Sequence, residues 1–212
     1  QHKHFKKLLQ RQRKAEREFG PIRVEFGDPL GEHYQTLRTW KSQQYRDTGL
    51  LDLFDIPWVD SVIRNCAARS FGPFRGLVAS LYLGDRLAAV EMGMVAGDVY
   101  HSWMPAYDPA FRAVSPGHLL LQGIIEAAPN MRINRIDLGG GDYAYKAAYT
   151  DYEVTLSGGR AMKPSAAMAG LMAWDGAEAA ARLLPGPLAK APLKLRRRWA
   201  HTAAAEPVLT RR

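Results

Sequence analysis

The stretch that decides the fold covers residues 76–105 and reads GLVASLYLGDRLAAVEMGMVAGDVYHSWMP. Apolar residues alternate there with small or polar ones, a period of two that is typical of β-strands. Two Gly-Asp pairs, at 84–85 and 97–98, interrupt the alternation and have the composition of two-residue hairpin turns. We therefore predict three consecutive antiparallel strands, at residues 76–83, 86–95 and 99–105.

A helix and shorter elements are predicted after this meander. Ser115 and Pro116 have the residue types preferred at the N-cap and first position of a helix, which we predict to reach residue 128. A buried strand is predicted at 133–138, followed by a glycine break at 139–141. A short helix at 142–149 and a last strand at 152–156 complete the predicted order. The predicted fold class is α+β: a mixed, mostly antiparallel sheet with flanking helices, in the order β-β-β-α-β-α-β, preceded by a helical linker.

The sequence before the meander is mostly helical in its periodicity. It predicts three helices, at 2–19, 30–46 and 58–70, and one edge strand at 22–26. An Ala-rich stretch near the C-terminus predicts a further helix, and the Pro-, Ala- and Arg-rich sequence after it lacks periodicity. The predicted organisation is a helical linker segment at 1–75 and a core at 76–162. A C-terminal helix at 163–184 and a basic flexible tail at 185–212 follow.

Composition excludes several classes of protein. The chain has 212 residues, 47% hydrophobic and 24% charged, as in an ordinary globular protein. Its single cysteine, Cys66, excludes an intramolecular disulfide and a cysteine-based zinc site, and its six histidines lack metal-site spacings. No apolar run reaches the length of a transmembrane helix, and the first residues lack the apolar region of a signal peptide. We therefore expect a cytoplasmic protein that binds no metal.

The net charge of +8 is concentrated at the two ends of the chain, while the middle is slightly acidic. Basic ends can bind RNA, anionic membranes or acidic polymers. The alternative, which we favour, is a solvated helix face at one end and a solvated tail at the other. Nucleic acid is therefore not expected as a partner.

The start of the helix at 116–128 is the strongest candidate for an anion site. A helix N-terminus offers unpaired backbone N–H groups and a partial positive charge, and it suits a pyrophosphate. Ser115 precedes this helix, and Arg112 adds positive charge. The candidate donors are the amides of Gly117, His118 and Leu119. The alternative is an ordinary helix start, because Ser and Pro are common there for structural reasons.

The stretch DLGGGD at 137–142 is a second candidate. Three glycines permit backbone conformations closed to other residues and let a ligand pass close to the preceding strand. Tyr143 and Tyr145 follow, and a phenol can protonate a thiolate leaving group. Candidate substrate contacts are Asp137, Asp142 and Lys146. The alternative is a flexible turn with packing aromatics.

Two residues of the meander are candidate general bases. Glu91 lies mid-strand among apolar neighbours, which would raise its pKa; the alternative is that alternation places it on a solvent-exposed face. His101 lies across the hairpin from that strand. Period two places Trp103 on the same face as His101, with Tyr100 on the other. Trp103 and Tyr107 are candidates for lining a sugar or acyl pocket, with core packing as the alternative.

Three stretches together resemble a known family. They read HSWMPAYD at 101–108, SPGH at 115–118 and IDLGGGDYAYK at 136–146. In this order they are similar to GNAT-type acyltransferases of the CelD/BioF2-like group, which is associated with bacterial exopolysaccharide or cellulose biosynthesis and is distantly Fem-like. The residues Trp40-Lys41 and Gln44-Tyr45 resemble the helical linking segment of that group.

The resemblance implies that the chain is the linker and the C-terminal member of two GNAT-like halves, with the first half absent. It implies an N-acyltransferase that moves an acyl group from acetyl-CoA or a longer acyl-CoA to an amine on a sugar or polar metabolite. Polysaccharide-synthesis proteins are the implied partners. The segment 112–117 would hold the CoA pyrophosphate, although it keeps only the Arg and one Gly of the usual phosphate loop. The alternatives are a Fem-like transferase that depends on aminoacyl-tRNA and a non-catalytic partner module.

We expect the basic tail to be dispensable for folding, because it lacks apolar periodicity. Deletion of residues 186–212 should leave the melting temperature, measured by circular dichroism, nearly unchanged. A fall of more than about 5 °C, the scale of ~1 kcal/mol in a domain of this size, would show that the tail is packed.

Overall fold

The computed structural model of the chain describes residues 2–27, 30–141, 145–157, 163–181 and 183. Asp142 and Tyr143, both predicted site residues, and the predicted tail lie outside these ranges. The chain divides into two compact units, residues 1–154 and 155–212. Helix α6 belongs to the second unit, and the sheet belongs to the first.

The strands are β1 (Ile22–Gly27), β2 (Ser70–Phe71), β3 (Phe74–Leu83), β4 (Arg86–Ala96), β5 (Val99–Tyr107) and β6 (Arg135–Asp137). The α-helices are α1 (His2–Phe19), α2 (Glu32–Asp47), α3 (Pro57–Ala68), α4 (Pro116–Ala127), α5 (Lys146–Tyr149) and α6 (Ala166–Ala181). Short 3-10 helices occupy Leu53–Asp55, Pro109–Val114 and Ala128–Met131.

The strands form one sheet in the order β1-β3-β4-β5-β6, with β2 paired to the start of β3. All neighbours are antiparallel except β5 and β6, which are parallel. The predicted meander is confirmed as β3, β4 and β5, and the predicted edge strand is confirmed as β1. The α+β class with a mostly antiparallel sheet is therefore confirmed. The predicted domain boundaries stay a prediction, although β1 joins the sheet from within the segment assigned to the linker.

Helices cover both faces of the sheet. On one face, α1 and α4 pack against alternate residues of β3 and β4, among them Leu81 and Ala89. On the other face, α2 and α3 bury the intervening residues, among them Val78 and Val90. Each such aliphatic side chain contributes roughly 1.5–3 kcal/mol by leaving water. Because both faces are buried, β3 and β4 are apolar on both sides, a pattern more usual in parallel sheets.

Two predicted strands differ from the structure. Residues 152–157 form no strand, so the last strand of the predicted order is wrong within the described residues. Tyr152 and Val154 alternate with polar residues, but their side chains are 77% and 65% exposed and have no neighbouring strand to pack against. The strand predicted at 133–138 is shorter, and Arg135 and Asp137 are exposed, because β6 lies at the edge of the sheet.

A close approach fixes β5 against β4. Tyr100 is fully buried, and its ring covers Gly93, where a Cβ atom would collide with the ring and the hydroxyl. The Tyr100 hydroxyl donates a hydrogen bond of 2.9 Å to Oε1 of Glu91. Gly93 therefore leaves the space through which Tyr100 reaches the buried carboxyl group.

Replacement of Gly93 by alanine should lower the free energy of unfolding by about 1–3 kcal/mol, because the Tyr100 ring or the strand must move. Gly27→Ala is the matched control in the same sheet, since a Cβ there meets nothing within 4 Å. Urea denaturation measures both variants. Equal stability of Gly93→Ala and wild type would contradict the close approach.

Candidate functional site

Strand β5 loses its neighbour half-way along its length. Its pairing with β6 covers three residue pairs, Val99 with Arg135, Tyr100 with Ile136 and His101 with Asp137. After β6, Gly139 and Gly141 adopt positive φ angles of 73° and 100°, a region that glycine enters without strain. From residue 102 to residue 107, β5 therefore has no strand on its β6 side within the described residues. We call these six residues the open edge.

A β-bulge lies at the start of the open edge. Met92 pairs with Met104 and Gly93 pairs with Ser102, so Trp103 has no partner on β4. A bulge bends its strand and increases the local twist. The bend therefore falls where β5 and β6 separate.

His101 and Asp137 form the last pair before β5 and β6 separate. Nδ1 of His101 lies 3.0 Å from Oδ2 of Asp137, and the backbone N–H of Gly139 donates to Oδ1 of Asp137 at 2.7 Å. The hydrogen bond from Gly139, together with His101, holds the pKa of Asp137 below its ordinary value. The ionised carboxylate therefore orients an imidazole whose side chain is still 38% exposed.

Lys146 fastens the glycine-rich turn. Its Nζ donates to the carbonyl oxygens of Gly139 and Gly140 at 2.9 and 2.7 Å. Lys146 and Asp137, both predicted as substrate contacts, thus both bond to the backbone of this turn. The turn between them closes one end of the gap beside β5.

The N-terminus of α4 differs from a simple capped helix. Ser115 has a left-handed backbone (φ 55°, ψ 62°), and its side chain makes no capping hydrogen bond. The amides of His118 and Leu119 both donate to the carbonyl oxygen of Ser115, at 3.0 and 3.4 Å. Around Gly117, by contrast, a Cβ would meet nothing within 4 Å, and the Arg112 side chain is exposed. The helix start is therefore open to a ligand at Gly117.

Helix α5 faces the first turn of α4 through aromatic contacts. Nδ1 of His118 lies 3.1 Å from the Tyr149 hydroxyl, and the two rings stack with centroids 5.8 Å apart. The Tyr145 ring meets His118 edge-on at 5.6 Å. Burial raises the pKa of Tyr149 to about 12. Sequence reasoning missed Tyr149, although it lies one helical turn after the predicted Tyr145.

Glu91 is 2% exposed, so the expectation of a buried carboxyl group is met and the solvent-facing alternative is wrong. Burial raises the pKa of Glu91, and hydrogen bonds from Ser102 and Tyr100 oppose the rise. Burial and the neighbouring Glu91 also raise the pKa of Tyr100. The cluster lies on the sheet face covered by α4, directly beside the bulge.

Lys41 on α2 reaches the open edge from the other side of the sheet. Its Nζ donates to the carbonyl oxygen of Pro105 at 3.0 Å and lies 5.4 Å from the centre of the Tyr45 ring. Burial lowers the pKa of Lys41, and Glu91 opposes this effect. Sequence reasoning gave this lysine no role in the site, because a lone lysine in a polar helix has no distinguishing pattern.

Trp103 and Tyr107, the two aromatic candidates for lining a pocket, lie on β5. Trp103 is half-buried against the core formed with α2 and α3, whereas Tyr100 belongs to the core on the α4 side. The predicted placement of Trp103 and Tyr100 on opposite faces of the sheet is therefore confirmed. Tyr107 is 37% exposed at the far end of the open edge.

Residues 2–147, more than half of the chain, match the family model described as an acetyltransferase (GNAT) domain. The chain belongs to the GNAT acetyltransferase family. It is therefore an enzyme of a family that uses acyl-CoA as co-substrate. The resemblance to GNAT acyltransferases is confirmed, and the narrower CelD/BioF2-like assignment stays a prediction.

Solved structures of other acetyltransferases are similar to this GNAT domain. An aminoglycoside acetyltransferase from an uncultured soil metagenomic sample, in complex with trehalose, is 9% identical with a TM-score of 0.45, covering 68% of this chain and 97% of that one. Its complex with sisomicin gives 12% identity and a TM-score of 0.46, covering 70% and 99%. A putative GNAT acetyltransferase from Xanthomonas campestris pv. campestris is 14% identical with a TM-score of 0.42, covering 64% and 87%. No curated protein sequence matches the chain.

The described residues of the chain contain neither a metal-binding cluster nor a membrane-spanning helix. None of their groups of His, Cys, Asp and Glu has the three or more members needed to hold a metal ion. None of their helices is long and apolar enough to cross a membrane.

Replacement of Glu91 by glutamine should stabilise the GNAT domain increasingly as pH rises. A folded-state pKa raised above the ordinary 4.5 means that the native protein holds this proton longer than the unfolded chain. The stability due to the neutral acid is complete below 4.5 and is lost as pH rises through the folded pKa, whereas glutamine does not titrate.

The melting temperatures of Glu91→Gln and wild type should therefore be compared at pH 5 and pH 8. We expect the difference in favour of the variant to be larger at pH 8. A difference that is constant or shrinks would contradict a raised pKa for Glu91.

Proposed function

We propose that this GNAT domain transfers an acetyl group from acetyl-CoA to the amine of a small polar acceptor, such as an amino sugar. The observation that carries the proposal is the open edge, which begins at a bulge and lies in a sheet flanked by α4 and α2. Unpaired backbone groups of a strand can bond to the amides of an extended ligand, as they would to another strand. The pantetheine arm of CoA has that chemistry.

The pyrophosphate of CoA is proposed to bind at the start of α4. The helix N-terminus provides partial positive charge, and the exposed Arg112 adds a full one. Because the amides of His118 and Leu119 already bond to Ser115, we assign the principal contacts to Gly117 and Arg112. The aromatic contact of α4 with Tyr145 and Tyr149 would then keep this end of the pocket in place.

His101 is the proposed general base. Asp137 holds its Nδ1, which orients the ring and stabilises the imidazolium that forms when Nε2 takes a proton from the attacking amine. Glu91, the other candidate, is 2% exposed and already accepts a hydrogen bond from Tyr100, so an amine arriving from solvent reaches His101 more easily. We assign Glu91 to positioning β5 rather than to proton transfer.

The leaving thiolate needs a proton donor near the start of α4. Tyr145 is 39% exposed beside His118, and its phenol is the proposed donor within the described residues. Tyr143 keeps its predicted role as the second candidate. Acyl-CoA supplies the activated acyl group, and the residues of the chain hold, orient and exchange protons with it.

A role in bacterial polysaccharide biosynthesis, in the cytoplasm, is the finer form of this proposal and rests on the resemblance of the three sequence stretches. Two experimental outcomes would argue against the proposed function. Salt-sensitive binding of tRNA through the basic ends would favour a Fem-like transferase. Unchanged acetyl transfer after loss of both His101 and Tyr145 would remove the proposed mechanism.

Calorimetry with acetyl-CoA tests the site at α4. Gly117→Val should abolish measurable binding, because a branched side chain fills the open space above the helix start. Arg112→Ala should weaken binding by roughly 1–2 kcal/mol, the scale of a hydrogen bond to a charged group.

Arg69→Ala is the matched control, since Arg69 is also exposed but lies at the end of α3. It should bind acetyl-CoA as wild type does. Equal affinity in wild type and Gly117→Val, or no binding in either, would refute the placement. With binding established, release of CoA thiol in the presence of amino sugars reports transfer.

A further inference from the structure

The open edge already has an amine beside it. Lys41 projects from α2, and its Nζ donates to the carbonyl oxygen of Pro105 at 3.0 Å. Pro105 lies on β5 two residues beyond the bulged Trp103. A side chain from a helix on one face of the sheet thus reaches the strand along which the pantetheine arm is proposed to bind.

The hydrogen-bond pattern shows which side of β5 this amine occupies. The N–H of Asp108 donates to the carbonyl oxygen of Ala88, so the backbone groups of Asp108 face β4. Backbone groups alternate in direction along a strand, and three residues earlier those of Pro105 face away from β4. A proline fits there because no ladder bond is required of it. The Lys41 amine therefore lies on the open edge.

The electrostatic surroundings of Lys41 favour a reactive amine. Within the described residues no carboxylate forms an ion pair with Lys41, and its near contacts are a carbonyl oxygen and the Tyr45 ring. Glu91 acts on it from the opposite face, where it bonds to Tyr100. Burial lowers the pKa of Lys41, which increases the fraction of neutral, nucleophilic amine near neutral pH.

We propose that Lys41 is itself an acetyl acceptor of this GNAT domain, an inference that rests on the proposed binding of acetyl-CoA at the open edge. The Lys41 nitrogen attacks the thioester carbonyl carbon, an N–C bond forms and the C–S bond breaks. CoA leaves as the thiolate and takes up the proton that the amine loses. The N–H of the resulting amide can still donate to Pro105.

Acetylation changes the open edge in two ways. It removes the positive charge of Lys41, and it places an acetyl group at the open edge, where the pantetheine arm is proposed to bind. The modified chain should therefore bind acetyl-CoA more weakly than the unmodified chain. The modification then limits the enzyme when no external amine is present to take the acetyl group.

The test incubates the wild-type chain with acetyl-CoA and follows each lysine by peptide mass spectrometry. Lys6 and Lys7 on α1 are exposed and serve as internal controls for uncatalysed acetylation. Lys41 should be modified at least roughly tenfold faster than either, because a bound thioester raises the local concentration of the reagent. Gly117→Val and heat-unfolded protein should lose this preference.

Acetyl phosphate, which lacks the pantetheine and nucleotide of CoA, is the second probe. It should acetylate Lys41 no faster than Lys6 and Lys7. An equal preference for Lys41 with both reagents would show intrinsic reactivity rather than delivery, and it would overturn the inference.

Calorimetry separates the remaining outcomes. If acetyl-CoA binds and Lys41 is modified no faster than the controls, the inference is wrong and the proposed function stands. If acetyl-CoA does not bind, the proposed function is contradicted and the inference fails with it. Weaker acetyl-CoA binding after enrichment of the Lys41-acetylated chain would support the proposal independently of the modification rate.

Discussion

The separation of β5 from β6 is the constraint on which the rest of the site depends. Backbone N–H and C=O groups of a strand need partners, and β5 has them towards β4 except at the bulged Trp103 but towards β6 for three residues only. Beyond His101 the groups on one side need other partners. Lys41 supplies one to Pro105. In the proposed function an extended ligand with amide groups supplies others, and the incomplete sheet is then a means of binding.

The gap persists because its surroundings are held firmly. Gly93 admits the Tyr100 ring against β4, and Gly123 lets α4 approach Val24 of β1 so closely that a Cβ would collide. On the far side, Lys146 and Asp137 bond to the turn that follows β6. Closing the gap would therefore require movement of packed elements on several sides. Such a preorganised opening needs little ordering when a ligand arrives.

The sequence predicted the parts of this arrangement that depend on local pattern. The hairpins followed from period two and two Gly-Asp pairs, and the start of α4 followed from Ser115 and Pro116. Register is not local, so the bulge at Trp103 and the length of the β5–β6 pairing were not predictable. The wrong strand at 152–156 has the right alternation and lacks a neighbour, which a sequence pattern cannot report. Lys41 was missed for the same reason, since its role comes from a carbonyl oxygen 64 residues away in the chain.

Two carboxyl groups near the gap have pKa values shifted in opposite directions, and the shifts separate their roles. Burial raises the pKa of Glu91, against the hydrogen bonds from Ser102 and Tyr100. Asp137 receives the Gly139 amide and His101 at an exposed turn, so the anion is favoured. Environments that shift the pKa values of two carboxyl groups in opposite directions usually indicate that the two groups have different roles. A carboxylate whose pKa is lowered can orient an imidazole, whereas a buried carboxyl group that accepts from the Tyr100 hydroxyl suits a fixed hydrogen-bond network. This contrast is the physical reason to seek proton transfer at the rim of the gap, on His101, and structural order behind β5, at Glu91.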